Sequence, residues 1–227
     1  MSLFVQNSKY RKAFTLAEIL ITLLIIGIVT SLVVPAIIND TQNQEFAVLL
    51  KKDVSTLSDA AKRMMMDNGG TLAGMFDSHN DMMNDFGNYV IFTKKCTYNT
   101  QGCFYSGTNT WKNLYGSYGW LNHTSVATAI LSNGGSIMFA LDRTDCELNH
   151  GTGTPMEHEC GWVHIDVNGF KGPNVLGKDL FALWVTKTGI YPFGMPGDGY
   201  ELCSKTQSNY ASGRGCAKVI LAGGKVN

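Results

Sequence analysis

The sequence predicts an α+β protein in which one long amino-terminal helix packs on an antiparallel β-sheet with disulfide-closed loops. Three observations predict this class. An apolar stretch near the amino terminus continues into an amphipathic pattern of helical period. Short apolar runs between glycine- and asparagine-rich turns follow it, and all six cysteines lie beyond the apolar stretch. At roughly 100–200 residues per domain, the 227 residues correspond to one globular domain plus an appendage.

The charge and composition exclude some classes of function. The chain has 18 basic and 18 acidic residues and a formal net charge of zero, so no basic surplus indicates a nucleic-acid partner. Charged residues make up 16% of the chain, below the usual quarter or so, and 25 residues are glycine. This balance favours an extracytoplasmic, loop-rich β domain over a cytosolic enzyme.

Residues 14–38 predict a membrane-spanning helix. Its most apolar part, residues 19–38, would extend about 30 Å, which matches the hydrocarbon core of a bilayer. A basic cluster at residues 9–12 precedes it and indicates a cytoplasmic amino terminus. The bulk of the chain then lies outside the cytoplasm, where its cysteines can oxidise.

Residues 39–67 predict an amphipathic continuation of the same helix. One apolar stripe recurs at steps of three and four residues: Phe46, Leu50, Val54, Leu57, Ala61 and Met64. The last four of these are predicted to lie in the core. Asp67-Asn68-Gly69-Gly70 predicts the end of the helix. Pro35 removes one backbone hydrogen bond and is predicted to kink or locally unwind the helix.

A secretory signal peptide is an alternative interpretation of the amino terminus. Basic residues followed by an apolar run suit it, and Val34-Pro35-Ala36 is a passable cleavage site. Two features disfavour it. Glu18 places a carboxylate where the apolar region begins, and the helical pattern continues past the proposed cut.

The segment "KAFTLAEILITLLIIGIVTSLVVPAI" closely resembles the signal segment of type IV pilins and type II secretion pseudopilins, over about residues 9–45. The resemblance implies that a prepilin peptidase cuts between Ala13 and Phe14 and that Phe14 is N-methylated. Residues 1–13 would then be a cleaved cytoplasmic leader. The sequence departs from the family at Ala13, where the family usually has glycine, and this predicts slower processing.

Glu18 is the assembly residue that the resemblance implies. A carboxylate at the centre of a membrane helix costs roughly 2.5–3.5 kcal/mol, less near an end, and such groups are usually paired. In the family it is thought to pair with the amino terminus of a neighbouring subunit. The other interpretation is a helix-start carboxylate that the macrodipole favours, with no role in pairing.

The resemblance implies a structural subunit rather than an enzyme. Its expected partners are other pilin or pseudopilin subunits, the prepilin peptidase, an inner-membrane assembly platform, and membrane lipid before assembly. A heterologous, non-closing interface between helices would build the filament. The expected location is the inner membrane, single-pass with a cytoplasmic amino terminus, and then a periplasmic or extracellular filament. The alternative is an exported, membrane-anchored binding or adhesin domain whose helix is only a signal anchor.

Residues 68–227 predict the globular β-rich domain. A short helix is expected around Asp81–Phe86, and strands are expected at residues 136–141, 160–166 and 180–186, with a further run at Gly189-Ile-Tyr-Pro-Phe. No Gly-x-Ser-x-Gly or phosphate-loop pattern is present in the sequence.

Six cysteines in an exported region indicate disulfides. Fifteen pairings are possible, and the simplest is local: Cys96 with Cys103, Cys146 with Cys160, and Cys203 with Cys216. A structural zinc site would need closely spaced thiolate pairs such as Cys-x-x-Cys, which the sequence lacks.

The loop "IDVNGFKGPNVLGKDLF" is the polar segment with candidate chemistry. Asp166, Asn168 and Asp179 could supply oxygen ligands to calcium, with backbone carbonyls from the glycine turns. A tight turn with Asx hydrogen bonds to the backbone explains the same residues without a metal. Both interpretations remain open at this point.

Two further clusters in the sequence are candidate sites. His150, His158 and His164 lie near Glu157 and Glu159, but their spacing matches no metal motif, and both carboxylates are predicted to be solvated. Aromatic residues in the stretch 104–122 are predicted to be exposed, either as a recognition surface or as a loop packed on itself: Tyr105, Trp111, Tyr115, Tyr118 and Trp120.

Overall fold

The computed structural model describes residues 14–105, 109–118, 125–206 and 211–226. Its elements in chain order are α1 (Leu16–Asp67), α2 (His79–Phe86), β1 (Phe92–Cys96), β2 (Ala127–Leu131), β3 (Ser136–Leu141), β4 (Glu159–Asp166), β5 (Leu180–Thr186), β6 (Gly189–Pro192) and α3 (Cys216–Leu221). The chain divides into two compact units, one ending at Gln42 and the other beginning at Asn43.

Helix α1 ends where the glycine signal predicts. Gly69 and Gly70 adopt φ values of 66° and 93°, a left-handed conformation that glycine takes without a Cβ penalty. The amide of Gly70 donates to the carbonyl of Met65 over 2.7 Å, which satisfies a carbonyl that the last turn leaves free. The chain then continues towards α2.

The six strands form one antiparallel sheet in sequence order, β1-β2-β3-β4-β5-β6. With the long amino-terminal helix, this confirms the predicted α+β class. Ser136 of β3 pairs with Asp166 of β4, and Asp166 pairs in turn with Leu180 of β5. The β2–β3 turn and the β4–β5 loop therefore lie at the same end of the sheet.

The main core lies between one face of the sheet and the helices of the globular unit. Leu50, Leu57, Ala61 and Met64 of α1 are buried there, while Val54 is half-buried and packs against the same cluster. The sheet contributes alternate side chains from β2 to β5, among them Ala129, Phe139, Val163 and Leu183. The predicted stripe thus faces the sheet, as its helical period requires.

The opposite face of the sheet is covered by loops. Met138 and Leu180 pack with Phe104 and Trp111 in one cluster. Trp184 and Phe193 stack at 3.9 Å between ring centroids in another. Every residue of β5 is buried, because both faces of this strand are covered.

Strands β3 and β5 have the predicted bounds, β4 begins one residue earlier than predicted, and α2 begins two residues earlier than predicted.

Three elements of the structure, β1, β2 and α3, were not predicted from the sequence. The middle of β1 is Thr-Lys-Lys and is exposed, so it lacks an apolar run. The strand β2 alternates small alanines with other residues, and α3 has only six residues. In these elements tertiary packing outweighs weak local signals.

Candidate functional site

The start of α1 is a capping box formed by Thr15 and Glu18. The Thr15 backbone amide and hydroxyl each donate to Glu18 Oε2 over 2.9 Å. In return, the Glu18 amide donates to the Thr15 hydroxyl oxygen over 3.3 Å. Thr-Leu-Ala-Glu is the Ser/Thr-x-x-Glu signature of this motif, in which two free helix-start donors are satisfied reciprocally. The box fixes the Glu18 carboxylate in the first turn, next to Phe14.

The apolar part of α1 is exposed in the part of the chain that the structure describes. Its large apolar side chains between Phe14 and Ile38 are 44–81% exposed. By length and composition, α1 is the one helix among the described residues that is long and apolar enough to cross a membrane. Such a surface requires lipid or other apolar helices around it.

Polar side chains in this apolar part bond to their own helix. Thr30 donates to the carbonyl of Ile26 over 2.6 Å, and Ser31 donates to that of Ile28 over 2.8 Å. Such back-bonding satisfies hydroxyls that lipid cannot. Pro35 lies inside the helix, and the kink expected there stays a prediction.

The predicted cleavage site lies only partly within the described residues. Phe14 is the first described residue and is exposed. Ala13 and the leader, residues 1–13, lie outside the described residues. The position of the cut and the methylation of Phe14 therefore stay predictions from the sequence.

The calcium candidates Asp166 and Asp179 are brought together where β4 ends and β5 begins. Both side chains are fully buried. The oxygens of Asp179 accept the amides of Asn174 and Val175 over 2.8 and 2.6 Å. Asp166 Oδ1 accepts the Asn168 amide over 3.1 Å. The bond between Asn168 and Asp166 is the Asx hydrogen bond of the turn interpretation, whereas Asp179 accepts amides that precede it in the chain.

Three side-chain oxygens in this loop have no hydrogen bond of normal geometry among the described residues: Asp166 Oδ2, Asn168 Oδ1 and Asn174 Oδ1. Burial, and next the negative charge of Asp179, raise the pKa of Asp166 to about 8. The buried hydroxyl of Tyr105 lies beside Asp166 and opposes this rise of its pKa. Burial also raises the pKa of Asp179, against the opposing effect of its backbone hydrogen bonds. Two buried carboxyls this close favour retention of a proton or binding of a cation.

The six cysteines form three disulfides, Cys96–Cys103, Cys146–Cys160 and Cys203–Cys216. These are the local pairs expected from the sequence. Cys146 and Cys160 also lie in the main core, so this bond joins the loop after β3 to the start of β4. All six sulfurs are thereby used.

The three histidines each have their own partners. His150 stacks on Trp184 at 4.8 Å between centroids, and His158 Nδ1 lies 3.1 Å from Glu147 Oε2. His164 is buried against Trp162, and burial lowers its pKa to about 3. Within the described ranges, no group of three or more His, Cys, Asp or Glu side chains is arranged to hold a metal ion.

The prediction that Glu159 is solvated is wrong. Its side chain is fully buried at the first position of β4, and burial, followed by the negative charge of Asp142, raises its pKa to about 8. The disulfide at the next residue, Cys160, draws this end of the strand into the core. Glu157 is half-buried and accepts the Gly153 amide over 2.9 Å.

The predicted aromatic surface is smaller than expected. Trp111 is buried and Tyr105 is half-buried, because both pack with Phe104 against the face of the sheet opposite the main core. Tyr115 and Tyr118 are 46% and 56% exposed. Trp120 lies outside the described residues.

Sequence reasoning missed two buried carboxylates, Asp53 on α1 and Asp198 in the loop after β6, which are 5% and 4% exposed. For Asp53 the signal was present in the sequence. Asp53 follows Leu50 by three residues and precedes Leu57 by four, so it lies on the apolar stripe rather than on the polar face.

Residues 8–34 match the family model of the prokaryotic N-terminal methylation motif. This motif is the prepilin-type cleavage and methylation signal of type IV pilins and pseudopilins, so the resemblance stated above is confirmed over these residues. No curated protein and no solved structure matches the chain. The motif supports a type IV pilin-like or pseudopilin-like protein, and proteins with this motif are structural rather than catalytic. Together with the apolar helix, it suggests a protein that is anchored in a membrane and then exported.

Proposed function

We propose that the chain is a structural subunit, a pilin, minor pilin or pseudopilin, of a type IV pilus or type II secretion filament. Prepilin peptidase cuts it between Ala13 and Phe14, and Phe14 becomes the N-methylated amino terminus. The observation that carries the proposal is the methylation motif at residues 8–34, which runs into the exposed apolar part of α1. The same residues serve as processing signal, membrane anchor and assembly surface.

The exposed apolar part of α1 supports two successive environments. In the inner membrane, lipid covers these side chains. In the filament, the same helix of other subunits covers them, held together by close van der Waals packing. An assembly platform in the inner membrane moves each subunit from the first environment to the second. Because the contact is heterologous and does not close, the assembly grows as a helix.

Glu18 is the proposed assembly residue. Cutting before Phe14 creates a basic amine at the amino terminus, one helical turn from the Glu18 carboxylate. Such an intramembrane carboxylate needs a partner, and the amino terminus of a neighbouring subunit supplies one. The capping box holds Oε2 in the first turn of α1 through Thr15, but the proposed pairing depends on the charge of Glu18 and not on this cap.

Location in an oxidising compartment follows from the cysteines. All six are paired, and stable disulfides form outside the cytoplasm. The basic cluster before the apolar helix supports a cytoplasmic amino terminus and an exported globular unit.

The second candidate is a membrane-anchored binding or adhesin domain that keeps its leader. The exposed Tyr115 and Tyr118 favour it, since aromatic side chains among small polar residues suit recognition surfaces. It requires no assembly through Glu18, and this separates it from the filament subunit.

The filament proposal is tested by two variants that separate charge from capping. Glu18→Gln keeps a capping acceptor but removes the charge, whereas Thr15→Ala removes the cap and keeps the charge. With the cognate assembly machinery, we expect Glu18→Gln to be cleaved normally but depleted at least about tenfold from the sheared filament fraction, the equivalent of about 1.4 kcal/mol. Thr15→Ala is expected to assemble. Normal assembly of Glu18→Gln, or absence of the wild-type chain from filaments, would contradict the proposal.

We further propose a calcium ion as a structural cross-link at the β4–β5 loop. The donor set fits a hard cation, because it consists of oxygens and three of them have no hydrogen bond of normal geometry among the described residues. Asp166, Asn168 and Asn174 would supply these oxygens. Asp179 lies beside them, and its two oxygens accept the amides of Asn174 and Val175. A bound cation would offset the repulsion between the two buried carboxyls.

A further inference from the structure

A cavity of about 200 Å³ opens beside the amphipathic part of α1. One wall is α1 itself, another is the segment that precedes β1, and the third is the β2–β3 turn. Leu57, Val90 and Leu131 make much of the lining apolar. At roughly 30 Å³ per water molecule, the space would hold about six waters or one long side chain.

One carboxylate lies in this lining. Asp53 is 5% exposed, and its Oδ1 accepts a hydrogen bond from Asn133 Nδ2 over 2.8 Å. Asn133 is itself fixed, since its Oδ1 accepts the Gly135 amide over 3.0 Å. Asp53 Oδ2 has no hydrogen-bond partner among the described residues.

The unpaired oxygen is costly in an isolated subunit. Desolvation is the main reason that the pKa of Asp53 rises to about 6, against the opposing effects of Asn133 and Lys52. At neutral pH the carboxyl is therefore largely ionised in a site that disfavours its charge. Lys52 of the same chain also lines the cavity, and its charge lowers the pKa of Asp53, but it makes no hydrogen bond to Oδ2. A cation from outside the chain would complete the site.

The lining indicates the chemistry of that cation. A lysine side chain combines a flexible alkyl stem, which suits walls of leucine and valine, with a terminal ammonium that pairs with a carboxylate. Ile91 is 74% exposed next to the cavity and extends the apolar surface around it. A cavity with apolar walls and a buried carboxylate is thus complementary in shape and charge to lysine.

We propose that this cavity receives a lysine side chain from a second copy of the chain, so that Asp53 forms an ion pair between subunits of the filament. The inference rests on the proposed function, because assembly holds other copies beside the cavity at high effective concentration. Exposed lysines such as Lys51 and Lys171 allow each copy to supply an ammonium group while using its own Asp53 carboxylate. The contact is heterologous, as a growing helical assembly requires.

The test is zero-length cross-linking with a carbodiimide, which joins a carboxylate to an amine in direct contact. Two differently tagged forms of the full chain are co-expressed with the assembly machinery and cross-linked in the filament fraction. We expect denatured dimers that carry both tags and contain a peptide joining Asp53 to a lysine. Asp53→Asn should lower the yield of this dimer at least tenfold.

The matched control is Asp59→Asn on the same helix. The Asp59 side chain is 61% exposed and pairs with Lys62 within its own helix at 3.4 Å. This variant should keep the Asp53 cross-link. The melting temperature of the solubilised Asp53→Asn subunit should equal or exceed that of the wild type, since the neutral amide keeps the bond from Asn133.

Each other outcome contradicts the inference. Filaments that yield no Asp53 peptide between differently tagged copies would overturn it while leaving the proposed function intact. Undiminished dimer in Asp53→Asn, or a lower melting temperature of that variant, would assign Asp53 a structural role within one subunit. Failure of the wild-type chain to enter filaments would overturn both the inference and the proposed function.

Discussion

Trp184 donates a hydrogen bond from Nε1 to Oδ2 of Asp198 over 3.0 Å in the interior of the globular unit. The same oxygen accepts the amides of Gly194 and Met195, over 2.8 and 3.1 Å, and Oδ1 accepts the amide of Tyr200 over 2.8 Å. One buried carboxylate thus ties the loop after β6 to strand β5, the neighbour of the edge strand β6. The loop needs this tie because it covers the face of the sheet opposite α1.

Asp198→Ala is therefore expected to destabilise the protein strongly. It removes the acceptor of four donors, and buried donors without a partner cost about 1–3 kcal/mol each, with incomplete additivity. We expect the free energy of unfolding to fall by about 3 kcal/mol, measured on the full chain in mild detergent. Asp198→Asn, which retains one carbonyl oxygen, should lose less. A loss below about 0.5 kcal/mol for the alanine variant would contradict this role.

The disulfide between Cys203 and Cys216 should be a second large contributor to stability. It closes a loop with a sequence separation of 13 and holds the start of α3, whose Ala217 and Ile220 lie in the core. By the chain-entropy model, replacing both cysteines with serine costs about 3 kcal/mol. The matched control is the shorter Cys96–Cys103 loop, with a separation of 7 and a cost of about 2.5 kcal/mol. An unchanged melting temperature after complete reduction would contradict the prediction.

Stability should depend on pH through Asp166. Its pKa is raised to about 8 in the fold, above an unfolded value of about 4, so the folded state holds the proton more tightly. This contribution is fully present below pH 4 and is lost as pH rises through 8, at up to about 1.4 kcal/mol per pH unit. Asp166→Asn removes this dependence. We expect the stability of the variant relative to the wild type to increase from pH 5 to pH 8 in calcium-free buffer, and a constant difference would refute the assignment.

Calcium should act most strongly at the upper end of this pH range, because a cation competes with the proton on Asp166. Calcium is expected to raise the melting temperature of the wild-type chain at pH 8 more than at pH 5. Asp166→Asn should abolish most of this shift. Asp59→Asn, which changes an exposed carboxylate on α1, should leave the shift unchanged. A melting temperature that calcium leaves unchanged at pH 8 would remove the metal from the proposal.

The elements that could be predicted from the sequence have strong local signals. In β3 and β5, apolar runs between glycine- or asparagine-rich turns gave the observed bounds. The stripe on α1 identified the core face because its period is helical. In contrast, β1 depends on pairing with β2 rather than on apolar side chains, so its Thr-Lys-Lys sequence carries no strand signal.

The candidate sites also differ in whether their contacts are local in the sequence. The cysteine pairs are local in sequence and were predicted from it. The capping box of Thr15 and Glu18 is equally local but was missed, although Thr-Leu-Ala-Glu carries its signature. Asp53 depends on Asn133, 80 residues away, and its cavity has walls from three separate segments. The burial of Glu159 likewise depends on the fold around the strand. No local pattern contains these long-range contacts.

The mass of the mature amino terminus tests the central claim most directly. The full chain is co-expressed with prepilin peptidase, purified from membranes, and analysed by intact-mass and amino-terminal peptide mass spectrometry. The account predicts loss of residues 1–13 and an N-methylated Phe14 as the first residue. An amino terminus at Ile37, which ordinary signal peptidase would produce after Ala36, or a chain that retains its leader, would contradict it.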